Sequence, residues 1–154
     1  MPFVDKLRGD LIDFRRLTAD DYDAILSLWQ RAGLDSIRPQ GRDSREAFAD
    51  QLARGQVVLG LENTETGKLV ACVVITDDAR KGWINRLAVD PDYRRQGLAA
   101  RLMAEAETEL RARGLRIFAA LIEGENEPSL HLFKRVGYKT HDVYYVSKRD
   151  SEDA

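Results

Sequence analysis

An apolar run that ends in a proline turn and leads at once into a helix is the feature that most constrains the fold. The segment reads LAVDPDYRRQGLAARLM, from Leu87 to Met103. Pro91 cannot donate to a sheet ladder, so it ends the strand. Apolar residues from Leu98 to Leu110 then recur at helical spacing. The segment therefore predicts a strand, a short turn and a long helix that begins beside the end of that strand.

The rest of the chain predicts a mixed α/β (α+β) fold. A second apolar run follows the long helix, so residues 83–123 have the order strand, helix, strand and should form a parallel crossover. Two runs at 56–63 and 68–76 flank a polar turn, which favours antiparallel pairing. With an opening strand at 10–18 and one or two final strands within 138–148, we expect a twisted mixed sheet of six to seven strands flanked by about four helices.

Length and composition predict one domain in a reducing compartment. The 154 residues suit a single domain, 1–154, with an ordered core of about 10–148. The net charge of -2 argues against nucleic acid as a partner, and the N-terminus lacks the apolar stretch of a signal peptide. No run is long enough to span a membrane, and Cys72, the single cysteine, cannot form an internal disulfide. We expect a cytoplasmic protein with no metal.

The start of the long helix has the chemistry of an anion-binding site. A helix N-terminus leaves backbone N–H groups without partners and carries the positive end of the helix dipole. Arg94 and Arg95 add charge, and Gly97 has no side chain to block a bulky anion. The sequence contains neither a P-loop nor a G-x-G-x-x-G fingerprint. On these local features, a phosphate or pyrophosphate cradle and an ordinary turn with solvated arginines both remain open.

Two segments resemble the signatures of the GNAT superfamily, the acyl-CoA-dependent N-acetyltransferases. The first resembles Q/R-x-x-G-x-G/A, with Arg94, Gly97 and Ala99 in register. The second, NEPSLHLFKRVGY, resembles N-x-x-A-x-x-L-Y-x-x-x-G-F. Its matching positions are Asn126, Ser129, Leu132, Gly137 and Tyr138. The two motifs lie in the expected strand and helix context, and the resemblance spans about residues 83–138.

The resemblance implies that acetyl-CoA binds between splayed parallel strands at 83–89 and 115–123, without a metal. The pantetheine arm would pair with the backbone of the first strand, and the pyrophosphate would accept from the N–H groups of the helix start. Asn126 would contact the arm, although it also suits a helix N-cap. The residues implied in cofactor binding are Leu87, Ala88, Val89, Arg94, Arg95, Gln96, Gly97, Leu98, Ala99, Ala100, Asn126, Ser129 and Phe133.

The catalytic residues are less well marked. Asn85 and Arg86 stand where some relatives place an acid. The candidate general base is therefore Glu123, directly or through water, with Asp77 and Asp78 as weaker candidates. Phe133 occupies the usual position of the tyrosine that protonates the leaving thiolate, and phenylalanine cannot donate a proton. Tyr138 is a candidate substitute, although such aromatic residues more often belong to the core.

The implied reaction is direct attack of a primary amine on the thioester. The acceptor would be an amine-bearing small molecule or a peptide or protein N-terminus, and a homodimer is expected. Arg38 and Arg42, in the loop that often borders the acceptor site in this fold, indicate an acidic acceptor if they are more than solvated charges. Two alternatives stay open: an acyl-CoA-binding regulatory module with little or no catalysis, and a nucleotide-binding domain unrelated to CoA.

Overall fold

The computed structural model describes residues 11–154, which form five β-strands and four α-helices. The strands are β1 Ile12–Arg16, β2 Val57–Asn63, β3 Leu69–Asp77, β4 Gly82–Val89 and β5 Phe118–Ala119. The helices are α1 Tyr22–Arg31, α2 Arg45–Ala53, α3 Leu98–Ala112 and α4 Glu127–Arg135. Residues 1–10 lie outside this description. They include residue 10, where the first strand was predicted to start, and the N-terminal stretch for which we expected no signal peptide.

The strands form one mixed sheet in the order in which they occur along the chain. β1, β2, β3 and β4 pair antiparallel, and β5 pairs parallel with β4 after the chain has crossed over through α3. The mixed sheet and the parallel crossover predicted from the sequence are therefore confirmed. The fold brings the end of β4 and the start of α3 to the junction between the antiparallel and parallel parts.

The expected strand count was wrong, because the described residues contain five strands instead of six or seven. The strand predicted at 115–123 is reduced to Phe118–Ala119, and residues 138–148 contain no strand. Pairing of β4 with β5 stops after Trp83 and Ala119. Residues 120–123 therefore have no neighbouring strand of the described chain with which to pair. Tyr144, in the predicted final strand, is 96% exposed.

The core lies on both faces of the sheet. Val73 and Ile75 of β3 pack with Leu102 of α3, whereas the alternate residues Cys72 and Val74 join the cluster that contains α1 and α2. This alternation follows from the two-residue period of a strand, which sends successive side chains to opposite faces. Helices on both faces, as predicted, therefore cover a sheet whose central strand is apolar on each side.

Side-chain caps begin α2 and the 3-10 turn before α1, at serine and threonine residues, which favour this position. The Ser44 hydroxyl accepts from the N–H of Ala47 at 3.1 Å at the start of α2. Thr18 and Asp21 form a reciprocal capping box around the 3-10 turn that precedes α1. Such caps satisfy donors that have no partner inside a helix, so short local sequence patterns were sufficient to locate them.

The described residues hold few groups suited to metal binding or thiol chemistry. Cys72 is buried in β3, and burial raises the pKa of its thiol to about 12, despite an opposing contribution from Trp29. In residues 11–154 no group of three or more His, Cys, Asp or Glu side chains is arranged to hold a metal ion. Within the same residues, no helix has the length and apolar character needed to cross a bilayer.

Candidate active site

Asp90 anchors the turn that connects β4 to α3. Its side chain is 2% exposed, and its Oδ1 accepts from the N–H of Asp92 at 2.9 Å. Arg31 Nε lies 3.0 Å and Lys68 Nζ 3.3 Å from Oδ2. Burial acts to raise the pKa of Asp90, but the Asp92 N–H and the two cations outweigh it and hold the pKa below its usual value. The turn is therefore tied to α1 and to the start of β3.

The residues that follow have a backbone shape suited to an anion. Arg95 and Gly97 adopt φ values of +63° and +76°, in the left-handed region. Left-handed residues beside right-handed ones direct successive N–H groups into one concavity. Gly97 begins α3 without a side-chain cap, and a Cβ placed on it would meet nothing within 4 Å. The space in front of the helix start is therefore open.

The N–H groups of this turn are unpartnered. No backbone or side-chain acceptor within residues 11–154 binds the N–H groups of residues 95–99, and the first bond of α3 runs from Arg101 to Gly97 at 3.0 Å. Arg94 and Arg95 are exposed, and Arg94 Nη2 donates to the carbonyl of Ala32 at 3.3 Å. The residues from Arg94 to Ala100 thus lie together around a set of free donors, which favours an anion-binding turn over an ordinary capped one.

A gap in the sheet lies directly before this turn. β4 and β5 are joined through only two residue pairs, Gly82 with Phe118 and Trp83 with Ala119. No strand of the described chain pairs with Leu87, Ala88 or Val89 on the β5 side. Backbone groups at such an edge need partners, so an extended, amide-bearing ligand can add to it as a strand would.

A bulge in β4 lies next to the gap. Val74 faces Asn85 and Cys72 faces Ala88, so two residues of β4 lie opposite one residue of β3. One of these two is Arg86, whose φ is +48°. Asn85 donates to the hydroxyl of Thr76 at 3.1 Å, which gives it a role within the sheet. The bulge changes the direction of β4 just before the exposed backbone of 87–89.

The three candidate catalytic residues line one cavity of about 970 Å³, between β5, α4 and the segment after α4. These residues are Glu123, Phe133 and Tyr138, and Trp83 at the start of β4 also contributes. Neither residues 87–89 nor residues 94–100 line the cavity. The structure therefore brings the catalytic candidates together with each other, but it does not place them in one cavity with the anion-binding turn.

Phe133, which is buried, and Tyr138, which is half-buried, form an aromatic pair. Phe133 is 4% exposed, and its ring meets that of Tyr138 edge-on at 5.0 Å. The Tyr138 hydroxyl donates to Glu107 Oε2 at 2.8 Å. Burial, and then the Glu107 carboxylate, raise the pKa of Tyr138, so its hydroxyl holds its proton and is engaged with α3. Glu123 is exposed in the segment that follows β5, four residues after its last residue.

Asn126 caps α4, in agreement with one of the two roles considered from the sequence. Its Oδ1 accepts from the N–H of Ser129 at 3.3 Å. Asn126 is exposed, and Ser129 is half-buried in the first turn of the helix. The cap uses only the oxygen of the side-chain amide, which leaves the Nδ2 group available to another acceptor.

The weaker acid candidates serve the turn between β3 and β4. Asp77 Oδ2 lies 2.8 Å from Arg113 Nη1. Asp78 Oδ1 accepts from the N–H groups of Arg80 and Lys81 at 2.9 and 2.7 Å. Those two bonds, with that from Lys81 the larger contribution, lower the pKa of Asp78 to about 2. This turn lies at the opposite end of β4 from the anion-binding turn.

One buried acid was missed from the sequence. Asp43 is 4% exposed in the loop before α2, and both terminal nitrogens of Arg86 donate to its carboxylate. The N–H of Arg38 also donates to Asp43 at 2.8 Å. No local pattern links residues 43 and 86, so only the folded arrangement reveals this pair.

The sequence profile of the acetyltransferase (GNAT) family matches residues 15–138, which include the anion-binding turn and the aromatic pair. An acetyltransferase of Pectobacterium atrosepticum is 28% identical over 142 residues, covering 92% of this chain and 98% of that protein.

Solved structures show the same fold. A PaiA N-acetyltransferase from Thermoplasma acidophilum, in complex with coenzyme A, aligns with a TM-score of 0.75 at 18% identity, covering 86% of this chain and 92% of that one. The ribosomal-protein-S18-alanine N-acetyltransferase from Escherichia coli aligns with a TM-score of 0.71 at 24% identity, covering 85% of this chain and 79% of that one. From the family match and the named relatives, the chain belongs to the acetyltransferase (GNAT) family and is an acyltransferase.

Proposed function

We propose that this protein transfers the acetyl group of acetyl-CoA to a primary amine by direct attack of the amine on the thioester. The observation that carries the proposal is the set of unpartnered N–H groups at residues 95–99, placed at the end of a strand edge that no neighbouring strand covers. The unpartnered N–H groups suit a diphosphate, and the uncovered strand edge suits a chain with two amide groups. Coenzyme A contains both, joined in that order.

The anion-binding turn would hold the pyrophosphate. The N–H groups of residues 95–99 have no partner within residues 11–154, the dipole of α3 is positive at this end, and Gly97 leaves the approach open. Arg94 and Arg95 add two exposed positive charges beside it. The fit is supported by the backbone itself, because the left-handed conformation of two residues in the turn directs donors outward instead of into a local bond.

The edge of β4 would position the acyl group. The amides of the pantetheine arm would pair with the backbone of Leu87 and Val89, in the way that a peptide adds to a sheet edge. A backbone N–H in the same stretch would donate to the thioester oxygen as negative charge develops there. The bulge at Arg86 contributes by fixing the direction of this edge.

Proton transfer would use the groups around the cavity. A primary amine has a pKa of ~10 in water, so it must lose a proton before attack. Glu123, which lines the cavity in the segment after β5, would take that proton through water. Phe133 offers no proton, and the Tyr138 hydroxyl is bonded to Glu107. The thiol leaving group, with a pKa of ~8.5, can depart as the anion.

Two alternatives carry less support. The first alternative is an acyl-CoA-binding module with little catalysis. It would agree with the lack of a proton donor, because Phe133 has no hydroxyl and the Tyr138 hydroxyl is bonded to Glu107. The family match and the relatives named as acetyltransferases favour the enzyme. The same match argues against a nucleotide-binding domain unrelated to CoA. The Escherichia coli protein, named for alanine acetylation on a ribosomal protein, supports an amine acceptor.

The test combines binding with turnover. Calorimetry should detect acetyl-CoA and CoA, with ATP and NAD as comparison ligands. Thiol release should then be followed with N-terminal peptides, lysine peptides, polyamines and aminoglycosides. Acetylation of any amine, confirmed by mass, supports the proposal. Binding of CoA without transfer to any of these amines favours the binding module, and binding of ATP or NAD but not CoA contradicts both.

A further inference from the structure

Four arginines gather beside α1, and we call Arg38, Arg42, Arg86 and Arg149 the arginine cluster. Asp43 lies at its base, where Arg86 occupies both carboxylate oxygens. The pKa of Arg42 is lowered, chiefly by burial and then by the charges of Arg86, Arg149 and Arg38, which outweigh the opposing effect of Asp43. The guanidinium groups of Arg86 and Arg42 face the Asp43 carboxylate, and the charges of Arg38 and Arg149 act on Arg42 from nearby.

Arg42 lies beside Asp43 but is not hydrogen-bonded to its carboxylate. Its Nε lies 3.8 Å from Asp43 Oδ2, beyond normal hydrogen-bond distance, and its Nη2 donates to the carbonyl of Ser36 at 2.6 Å. That bond to the loop fixes the plane of the guanidinium. Its side chain is 36% exposed, whereas that of Arg86 is 21% exposed and is already paired. Arg42 is therefore more open to an anion than Arg86 is.

The chain itself places an oxygen on these donors. Arg42 Nη1 donates to the carbonyl oxygen of Ala154 at 3.1 Å, and Arg149 donates to the same oxygen. The backbone of Asp153 lies against Gly41, where an added methyl group would overlap the Asp153 carbonyl oxygen. An acceptor oxygen is thus already bound where Arg42 and Arg149 converge.

The cluster adjoins the place proposed for the acyl group. Arg86 immediately precedes Leu87, and consecutive Cα atoms are about 3.8 Å apart. The Arg86 side chain turns toward α1 and stacks 4.8 Å from the centre of the Trp29 ring. An amine that approaches the thioester from the α1 side therefore passes the arginine cluster.

We propose that Arg42, supported by Arg149, is the specificity-determining site for an acceptor whose α-amine is accompanied by a side-chain carboxylate, and that residues 150–154 compete for this site. The inference rests on the proposed acetyl transfer. Guanidinium and carboxylate match in geometry and charge, which makes arginine the residue suited to reading a carboxylate. The positive charge of Arg42 would also disfavour polyamines and other cationic acceptors at this site.

Paired dipeptides test the charge requirement directly. Glutamyl-alanine amide and glutaminyl-alanine amide differ only in the side-chain carboxylate, and calorimetry in the presence of CoA measures their binding without requiring transfer. We expect the glutamyl peptide to bind the unaltered protein roughly tenfold more tightly than the glutaminyl peptide. Arg42→Gln should remove that preference, whereas the control Arg80→Gln, at an 84% exposed arginine on the β3–β4 turn, should retain it.

A second variant tests competition by residues 150–154 and does not alter an arginine. Gly41→Ala should displace the backbone of Asp153, because the added methyl group has no room there. Its affinity for the glutamyl peptide should rise above that of the unaltered protein. This expectation also applies if Arg42→Gln proves too unstable to measure.

The results separate this inference from the proposed function. Equal binding of the two peptides, or binding of neither peptide even to Gly41→Ala, overturns the carboxylate site. A glutamyl preference that Arg42→Gln abolishes supports it, whether or not acetyl transfer follows. Acetylation of cationic or uncharged amines without a glutamyl preference would leave the proposed function standing and overturn this inference alone.

Discussion

Arg86 and Asp43 form an ion pair that fastens the bulge of β4 to the loop between α1 and α2. Both terminal nitrogens of Arg86 donate to the Asp43 carboxylate, which is 4% exposed. Arg86 also holds a left-handed backbone conformation, with φ at +48°, which costs an L-residue energy. The side-chain contacts of Arg86 therefore help to maintain the backbone shape that presents residues 87–89.

Asp43→Asn should destabilise the protein and slow acetyl transfer. Loss of the carboxylate leaves Arg86 without its charged partner in a mostly buried position. We therefore expect the free energy of unfolding to fall by about 2–3 kcal/mol. Transfer should fall further than acetyl-CoA binding, because the bulge orients the acyl end and not the diphosphate. Urea unfolding and steady-state kinetics measure the two effects.

Asp50→Asn is the matched control for that substitution. Asp50 is also paired with an arginine, but its side chain is 59% exposed and that of Arg54 is 79% exposed. An exposed pair contributes at most about 0.5 kcal/mol, so this variant should behave like the unaltered protein. Equal unfolding free energies for the two variants would contradict the role given to Asp43.

Gly97→Trp should abolish acetyl-CoA binding while the fold survives. The indole would fill the space in front of the free N–H groups, and the left-handed φ of +76° adds a cost of about 1–2 kcal/mol for any side chain. Gly114→Trp is the control, because Gly114 has a φ of +85° and open space at the other end of α3. Calorimetry should detect CoA binding to the control only. Unchanged CoA affinity in Gly97→Trp would refute the placement of the diphosphate.

The parts of the fold that follow from neighbouring residues were predictable from the sequence. The turn from Pro91 to Gly97 and the start of α3 depend on proline, glycine and helical periodicity, which act over a few positions. The first signature motif, with Arg94, Gly97 and Ala99, also lies at this turn. These features appear in the structure where the sequence placed them.

The rest depends on contacts between distant residues. Residues 138–148 have the β-branched and aromatic side chains of a strand, but such residues only favour pairing and do not supply a partner. The fifth strand leaves β4 after two pairs, so the expected extension of the sheet is absent. Likewise, the burial of Asp43 depends on Arg86, which lies 43 residues away.

Phe133→Tyr should raise the rate of acetyl transfer or leave it unchanged. The substitution restores the hydroxyl that the family usually has at this position. Phe133 is 4% exposed, and a buried hydroxyl without a partner costs about 1–3 kcal/mol, so stability should fall modestly. Thiol release and thermal unfolding should be measured together. A collapse in rate with stability retained would show that the position has another role.

Tyr138→Phe addresses the remaining acid candidate. Its hydroxyl donates to Glu107 at 2.8 Å, so its loss should cost about 1 kcal/mol of stability. If this contact is the main role of Tyr138, the transfer rate should remain and its pH profile should not shift. A large loss of rate, with stability close to that of the unaltered protein, would instead identify Tyr138 as the proton donor.

Asp90→Asn should reduce stability in a manner that depends on pH. The folded pKa of Asp90 is below its usual value, so its carboxylate contributes fully above the unfolded pKa of ~3.9. That contribution is lost as pH falls through this value toward the lower folded pKa. The difference in unfolding free energy between the unaltered protein and Asp90→Asn should therefore be largest near neutral pH and should shrink below about pH 4. A difference that stays constant from pH 7 to pH 3 would mean that the ionised carboxylate, held by Arg31 and Lys68, does not stabilise the turn.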